Sequence, residues 1–130
     1  MTTRIIGTGS YVPEQIVTND DLAKIVETSD EWIRSRTGIG ERRIATLDST
    51  SDMAARAAQA ALEQAGVGAE EIDLILLGTS SPDHCFPNGA CEVQARIGAV
   101  NAACFDISAA CTGYVFALNT AHAFISTGLY

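Results

Sequence analysis

Basic side chains are scarce in this chain of 130 residues: eight lysines and arginines stand against sixteen aspartates and glutamates, for a net charge of −8. Such an acidic chain is not expected to bind nucleic acids, because phosphate backbones require a basic surface. No long apolar run follows the polar opening Thr2, Thr3 and Arg4. The sequence therefore predicts neither a signal peptide nor a membrane anchor.

Cysteine is present, but it fits neither of the patterns that would give it a structural use. Cys85, Cys91, Cys104 and Cys111 are not arranged as paired C-x-x-C units, so no metal site is predicted. The chain is also 47% hydrophobic, which is enough for a core of its own without disulfide bonds. Four reduced thiols in a cytoplasmic protein are the simplest interpretation.

Apolar runs alternate with helical segments along the chain. The predicted strands are residues 4–9, 72–78 and 104–107. The predicted helices are residues 53–65, 89–97 and 112–127, each closed by a glycine. Strands that alternate with helices predict an α/β fold with a parallel sheet, and ligands gather at the carboxyl edge of such sheets.

A second group of capping signals lies nearer the N-terminus. Asn19 is predicted to cap a short helix. Thr28 and Glu31 have the spacing of a capping box and are predicted to open another helix, which carries Trp32 and ends at Gly38. The chain that follows this helix is predicted to be extended.

Half of the basic residues fall within one ten-residue window. These are Arg34, Arg36, Arg42 and Arg43. A basic patch on an acidic protein suits an anionic ligand such as a phosphorylated cofactor. The alternative is that the arginines pair with the carboxylates nearby, which are Asp30, Glu31 and Glu41.

The stretch from Ala103 to Gly113 predicts a reactive cysteine at a sharp strand-to-helix turn. Cys111 is flanked at minus two and plus two by Ala109 and Gly113, the positions where a nucleophile elbow requires small side chains. Cys111 is predicted to be the first residue of the following helix. A helix N-terminus favours the thiolate, which is the nucleophilic form of cysteine. The alternative is an inert buried cysteine.

The helix after Cys111 has apolar residues on most of its sides, so it is predicted to be buried on most sides. Asn119, Thr120 and His122 in its middle make it too polar for a membrane span. Within these 130 residues nothing is left to cover it, so the chain is expected to be part of a longer protein.

Four segments together resemble beta-ketoacyl-acyl-carrier-protein synthase III, a condensing-enzyme family of the thiolase superfamily. The segments are IIGTGSYVPEQ (5–15), TSDEWIRSRTGIGERRIA (28–45), HCFPN (84–88) and FDISAACTGYVFAL (105–118). They follow the order of the family and span nearly the whole chain. The resemblance implies that residues 1–130 are the N-terminal part of a thiolase-like domain, with the C-terminal half absent.

The resemblance also implies a role for each matching residue. Cys111 would accept an acyl group from acyl-coenzyme A, and its amide would help form an oxyanion hole. Trp32 would stack on the adenine of coenzyme A, Thr28 would bond the ring edge, and Arg36 would lie nearest the phosphates. Phe86 would reach across a homodimer interface towards the partner's acyl pocket. No permanently bound cofactor is implied, and malonyl-acyl-carrier protein would be the second substrate.

The family completes its active site with a histidine and an asparagine from its C-terminal half. Neither His84 nor His122 matches that histidine, and His122 follows Cys111 by eleven residues on one helix, roughly 16 Å away. Two alternatives stay open. One is a related superfamily synthase of another pathway, of the secondary-metabolite or hydroxymethylglutaryl type. The other is a non-catalytic interface subunit, against which the presence of Cys111 counts.

Overall fold

The computed structural model describes residues 2–130, and the chain divides into two compact units. One unit comprises residues 12–48, and the other comprises the described segments 2–11 and 49–130. The fold is an α/β fragment of thiolase-like type, as predicted. No helix within residues 2–130 is long and apolar enough to cross a bilayer.

The unit of residues 12–48 is a strand–helix–helix–strand arrangement. Strand β1 (Gln15–Thr18) pairs antiparallel with β2 (Glu41–Ile44), and the helices α1 (Asn19–Ala23) and α2 (Asp30–Thr37) lie between them in sequence. The extended chain after α2 was predicted, whereas β1 was not. Helix α2 ends at Gly38, which adopts a left-handed φ of 74°.

Both helix starts in this unit differ by one residue from the prediction. Thr18, not Asn19, caps α1, because its hydroxyl accepts a hydrogen bond from the Asp21 amide. Ser29, not Thr28, caps α2, because its hydroxyl accepts a 3.1 Å hydrogen bond from the Trp32 amide. In each case two neighbouring residues can both serve as caps, and the backbone selects the one that is extended at the helix start.

The larger unit is built on two parallel strands. Strand β3 (Leu74–Gly78) pairs in parallel with β4 (Ala103–Ile107), as the strand–helix order predicted. Helix α4 (Gly89–Ile97) contacts one face of this pair, where Leu77 meets Gly89. Helix α5 (Gly113–Thr127) contacts the other face, where the Phe105 and Phe124 rings meet edge to face at 6.4 Å. Successive side chains of each strand therefore point alternately towards α4 and towards α5.

Helix α3 (Thr50–Ala65) begins three residues before its predicted start at residue 53, whereas helix α4 has its predicted bounds. Ser49 and Asp52 form a reciprocal capping box, and Gly66 closes α3 with a φ of 66°. Helix α4 begins after Asn88, and the carboxylate of Asp106 accepts hydrogen bonds from the amides of its first two residues. These contacts fix the start of α4 against β4.

The predicted strand at residues 4–9 is not a strand in the structure. No ladder hydrogen bond is formed by these residues with any described part of the chain. The segment lies along α3 instead, where the Thr8 amide donates a 2.6 Å hydrogen bond to the Gln64 side chain. Gly7 and Gly9 face the α3 backbone so closely that a side chain at either position would overlap it. The apolar pattern predicted an extended segment, but pairing requires a partner strand.

Helix α5 is not buried on most of its sides within this chain. Only Gly113 is fully buried, whereas Tyr114, Val115 and Phe116 are each more than half exposed. The β3–β4 pair is the layer that packs on the helix, Thr3 and Tyr130 contact it at His122 and Phe124, and Tyr114, Val115 and Phe116 stay exposed within residues 2–130. The expectation of an uncovered nucleophile helix is therefore confirmed, and the expectation of burial is wrong for this part of the protein.

Candidate active site

Cys111 lies at the turn between β4 and α5, but not on the α-helix itself. A single 3₁₀ turn, Ala110–Thr112, precedes α5, which begins at Gly113. Cys111 is therefore in the turn that leads into the helix, and the prediction that it would be the first residue of that helix is wrong. The turn is closed by hydrogen bonds from the amide and hydroxyl of Thr112 to the Ala109 carbonyl.

Two small residues allow the strand and helix to approach each other at this turn. A side chain at Gly78 would lie 3.1 Å from the Gly113 carbonyl carbon, which is tighter than a usual contact. Gly113 is buried, so the end of β3 rests directly on the start of α5. The prediction of a small residue at plus two is explained by this contact.

Cys111 is available for chemistry in the structure. It is exposed and free, and neither its Sγ nor its amide N–H has a hydrogen-bond partner among residues 2–130. Ala110, the residue before it, has a φ of 45°, which is the one positive φ of a non-glycine residue in the described chain. A strained backbone of this kind is concentrated at functional sites.

Cys104 differs from Cys111 in its surroundings. Burial raises the pKa of the Cys104 thiol to about 11, and the neighbouring Cys91 acts in the same direction. The Cys104 Sγ is 3.6 Å from the Ala102 carbonyl oxygen, to which it donates. A cysteine held as the thiol is a poor nucleophile.

No cluster of side chains within residues 2–130 has an arrangement that could hold a metal ion.

The loop after β3, residues 79–88, carries Phe86 on the surface of its unit. The Phe86 side chain is 90% exposed, so it packs in no core of this chain. His84 in the same loop forms a 2.7 Å contact between its Nδ1 and Glu92 Oε1 of α4. No hydrogen bond joins His84 to Cys111 within residues 2–130. His122 instead contacts Thr3, with 2.9 Å between Nδ1 and the hydroxyl.

A polar cluster fastens this loop to α3 and α4. The hydroxyl of Ser51, which is 1% exposed, lies 2.6 Å from Asp83 Oδ2 and 2.7 Å from Glu92 Oε2. The single hydrogen of this hydroxyl can be donated to only one of the two carboxylates at a time, and each carboxylate also accepts hydrogen bonds from other donors. Asp83 also accepts from the amides of Thr50 and Ser51 at 2.8 Å, and Arg96 donates to Glu92 at 3.2 Å.

The carboxylate of Asp83 is held in its charged form. Desolvation raises the pKa of Asp83, but hydrogen bonds from the Ser51 side chain and amide and from the Thr50 amide outweigh it. The net result is a pKa well below the ordinary value for aspartate. Because the pKa of Asp83 is lower in the folded than in the unfolded protein, the charged carboxylate stabilises the fold above the unfolded-state pKa of about 4. This stabilisation is lost as the pH falls towards the folded-state pKa.

We expect Asp83→Ala to lower the free energy of unfolding by about 1 kcal/mol at pH 7, because two amides at the start of α3 lose their acceptor. Urea unfolding of the full-length protein at pH 7 and pH 3 measures this. The difference from wild type should shrink at pH 3. Asp73→Ala is the matched control, since it removes the same charge from a carboxylate without hydrogen bonds in the described chain. Equal effects of the two variants would contradict the anchoring role.

In the unit of residues 12–48, Trp32 and Arg36 form one exposed surface on α2. The guanidinium carbon of Arg36 lies over the Trp32 ring, 4.6 Å from its centroid. The Trp32 side chain is 53% exposed, so it is not a core residue. Arg36 forms no hydrogen bond or ion pair with any residue of the described chain. The pair therefore presents an aromatic face and an uncommitted positive charge side by side.

Thr28, one residue before the cap of α2, has a buried hydroxyl without a hydrogen-bond partner in the described chain. An unpaired buried hydroxyl costs about 1–3 kcal/mol. The oxygen is enclosed by the chain in this structure. The orphaned group is nevertheless what a polar ligand atom would satisfy.

The other three arginines of the predicted patch are used within the unit. Arg34 pairs with Asp30 at 2.8 Å, as the alternative interpretation expected. Arg42 donates to the Val17 carbonyl and to Asn19 Oδ1, and Arg43 donates to the carbonyls of Pro13 and Glu14. Arg36 is the one of the four without a hydrogen bond or ion pair in the described chain.

Known proteins are similar to this chain over nearly its whole length. Residues 105–130 match the family 3-oxoacyl-[acyl-carrier-protein (ACP)] synthase III. A beta-ketoacyl-[acyl-carrier-protein] synthase III of Clostridium acetobutylicum is 64% identical over 126 residues, 97% of this chain and 39% of that protein. The crystal structure of 3-oxoacyl-[acyl-carrier-protein] synthase III from Aquifex aeolicus VF5 has a TM-score of 0.95 at 53% identity, covering 98% of this chain and 41% of that one.

The chain belongs to the beta-ketoacyl-[acyl-carrier-protein] synthase III family. It spans about two fifths of the length of these synthases, and it fits their N-terminal portion. The priming beta-ketosynthase of the R1128 polyketide pathway is also similar, with a TM-score of 0.89 at 40% identity over 93% of this chain and 36% of that one. The same fold thus occurs in a priming ketosynthase of a polyketide pathway.

Sequence reasoning missed two residues of this synthase portion. Ser80 accepts a hydrogen bond from the Ala110 amide, next to Cys111, yet a serine in a predicted loop carries no specific signal. Asn19 is a buried hub that donates to Asp30 and to the Ile39 carbonyl while accepting from Arg42. The signal that could have indicated this role is Thr18, which also has a side chain suited to capping α1. With Thr18 as the cap, the Asn19 side chain is available for these other hydrogen bonds.

Proposed function

We propose that this chain is the N-terminal, nucleophile-bearing part of a condensing enzyme that initiates fatty-acid synthesis. The thiolate of Cys111 attacks the carbonyl carbon of an acyl-coenzyme A, and the acyl group moves to sulfur as coenzyme A leaves as a thiol. Malonyl-acyl-carrier protein then loses carbon dioxide, and its carbanion attacks the Cys111 thioester. The products are a 3-oxoacyl-acyl-carrier protein and free Cys111.

The observation that carries the proposal is the exposed, unpartnered Cys111 at the strained turn into α5, in a chain of this family. Its free amide N–H is a donor for the oxyanion that forms as the thioester carbonyl is attacked, where a backbone amide needs no reorganisation. The chemistry requires no metal or permanently bound cofactor. The groups that promote decarboxylation, a histidine and an asparagine, are supplied by the C-terminal half of the enzyme.

Coenzyme A is held by groups on and beside α2. Adenine stacks on the Trp32 ring, either on the face that Arg36 leaves free or on the face that Arg36 covers, in which case Arg36 is displaced. In both arrangements the Arg36 guanidinium binds the phosphates. The Thr28 hydroxyl, which has no partner in the described chain, bonds the adenine edge. The exposed side chain of Phe86 reaches the acyl pocket of a second subunit in a cytoplasmic homodimer. The exposed faces of α5 are covered by the C-terminal half.

Acyl transfer is tested directly by locating a label. The full-length protein is incubated with radiolabelled short-chain acyl-coenzyme A, digested, and its peptides separated. The label is expected on the peptide that contains Cys111 and is released by hydroxylamine, as for a thioester. Label on another peptide, or none, would overturn the proposal and favour a non-catalytic subunit.

A related synthase of another pathway is the second candidate function. The similarity to the R1128 priming beta-ketosynthase favours it. Both candidates load Cys111, so labelling does not separate them. The acceptor does: fatty-acid initiation predicts condensation with malonyl-acyl-carrier protein of the organism's fatty-acid system, whereas a secondary-metabolite enzyme prefers the carrier protein of its own pathway.

We expect Arg36→Ala to weaken acyl-coenzyme A binding about tenfold at low salt and much less at high salt, because exposed charge contacts are screened by ions. Equilibrium binding to the full-length protein at 20 mM and 500 mM salt measures this. Arg34→Ala is the matched control, since Arg34 is already paired with Asp30 on the same helix. An unchanged affinity of Arg36→Ala at low salt would remove Arg36 from the site.

A further inference from the structure

The peptide bond between Ala109 and Ala110, one residue before Cys111, is held by a residue from outside this turn. Ser80 lies two residues after the end of β3, and its Oγ accepts a 3.1 Å hydrogen bond from the Ala110 amide. The preceding residue of the same loop, Thr79, donates its amide to the Ile107 carbonyl at 3.2 Å. The start of the loop is therefore hydrogen-bonded at two points, Ile107 and Ala110, to the segment that leads into Cys111.

The backbone of this segment needs such support. Ala110 has a φ of 45°, and a residue with a side chain adopts the left-handed region only at a cost. Strained conformations persist where the surroundings determine them. The contacts on this turn from β3 and its loop are the Gly78–Gly113 approach, the Thr79 amide and the Ser80 hydroxyl, and the hydroxyl alone acts on Ala110 itself.

We propose that Ser80 is a positioning residue for acyl transfer. Its hydrogen bond holds Ala110 in the strained conformation and thereby fixes the direction of the Cys111 Sγ and amide N–H. The inference rests on the proposed function of Cys111, which it extends to a residue outside the nucleophile turn.

The effect falls on the rate of transfer rather than on binding. Nucleophilic attack requires the sulfur and the oxyanion donor to be aligned with one carbonyl group, so a small shift of the turn is costly. Ser80 is not on the helix that carries Trp32 and Arg36, so coenzyme A binding does not depend on it. Ser80→Ala is expected to lower the rate constant of Cys111 acylation about tenfold, with KM for acyl-coenzyme A unchanged within twofold.

Two further variants separate this role from a general effect on the loop. Ser80→Thr keeps the hydroxyl and is expected to retain at least a third of the wild-type acylation rate. Ser81→Ala removes the neighbouring hydroxyl, which has no hydrogen bond in the described chain, and is expected to act within twofold of wild type. The three variants are made in the full-length protein. Hydrogen exchange of the backbone amides in the peptide that contains Ala110 is measured by mass spectrometry for each variant and for the wild type.

The expected result is faster exchange of the Ala110 amide in Ser80→Ala together with the slower acylation. Unchanged exchange would show that the hydrogen bond is not formed, and faster exchange with wild-type acylation would show that it does not position Cys111. Either outcome overturns the inference about Ser80, whereas the proposed function of Cys111 stands as long as the wild-type protein is labelled at Cys111. Failure of the wild type to label at Cys111 instead overturns the proposed function, and with it the role of Ser80 in transfer.

Discussion

Gly9→Ala is expected to destabilise the protein by at least about 3 kcal/mol, although the substitution adds a single methyl group. That methyl group would overlap the Ala57 carbonyl oxygen and the Ala61 amide nitrogen, which belong to the backbone of α3. A helix backbone cannot yield as a flexible side chain does, so the N-terminal segment must leave α3. Urea unfolding of the full-length protein measures the loss.

Gly98→Ala is the matched control for this prediction. Gly98 has a φ of 76° with open space where a side chain would lie, so alanine there meets a conformational cost of about 1–2 kcal/mol without a clash. If Gly9→Ala costs no more than Gly98→Ala, the close approach of the N-terminal segment to α3 is wrong. The comparison separates steric overlap from backbone strain.

Elements specified by neighbouring residues were predictable from the sequence. The Ser49–Asp52 capping box and the glycines after α3 and α4 act within one helical turn, and they set the helix bounds. Helix α4 was predicted at its observed residues for this reason. Where two adjacent residues can both cap, as at Thr28 and Ser29, the local pattern leaves a choice that the backbone geometry decides.

Features that depend on a distant partner were not predictable. Residues 4–9 have the composition of a strand, but a strand exists only when another strand pairs with it, and α3 contacts these residues instead. The burial of α5 likewise depends on layers outside these residues. The turn at Cys111 was placed correctly because its small residues are local, whereas the support from Ser80 comes from thirty residues away.

Cys111→Ser is expected to lower acylation by acyl-coenzyme A at least about a thousandfold. A thiol supplies the thiolate nucleophile, while a serine hydroxyl needs a strong base beside it to be activated. No such base contacts Cys111 within residues 2–130. The rate is measured as radiolabel incorporated per protein over time in the full-length enzyme.

The same variant is expected to bind acyl-coenzyme A with wild-type affinity within threefold. The proposed contacts to the cofactor are made by Thr28, Trp32 and Arg36, and replacing one sulfur by oxygen alters none of them. Equilibrium binding therefore separates a lost nucleophile from a disturbed fold. A variant that loses both binding and transfer would point to unfolding of the turn rather than to missing chemistry.

Cys85→Ser provides the control for the choice of cysteine. Cys85 is also free and exposed, in the loop beside Phe86, but no strand-to-helix turn holds it. Its substitution is expected to leave acylation within twofold of wild type, because exposure alone does not align a thiol with a substrate carbonyl and an oxyanion donor. If Cys85→Ser abolishes labelling and Cys111→Ser does not, the strained turn before α5 is not the catalytic feature, and the acyl group is carried by the loop instead.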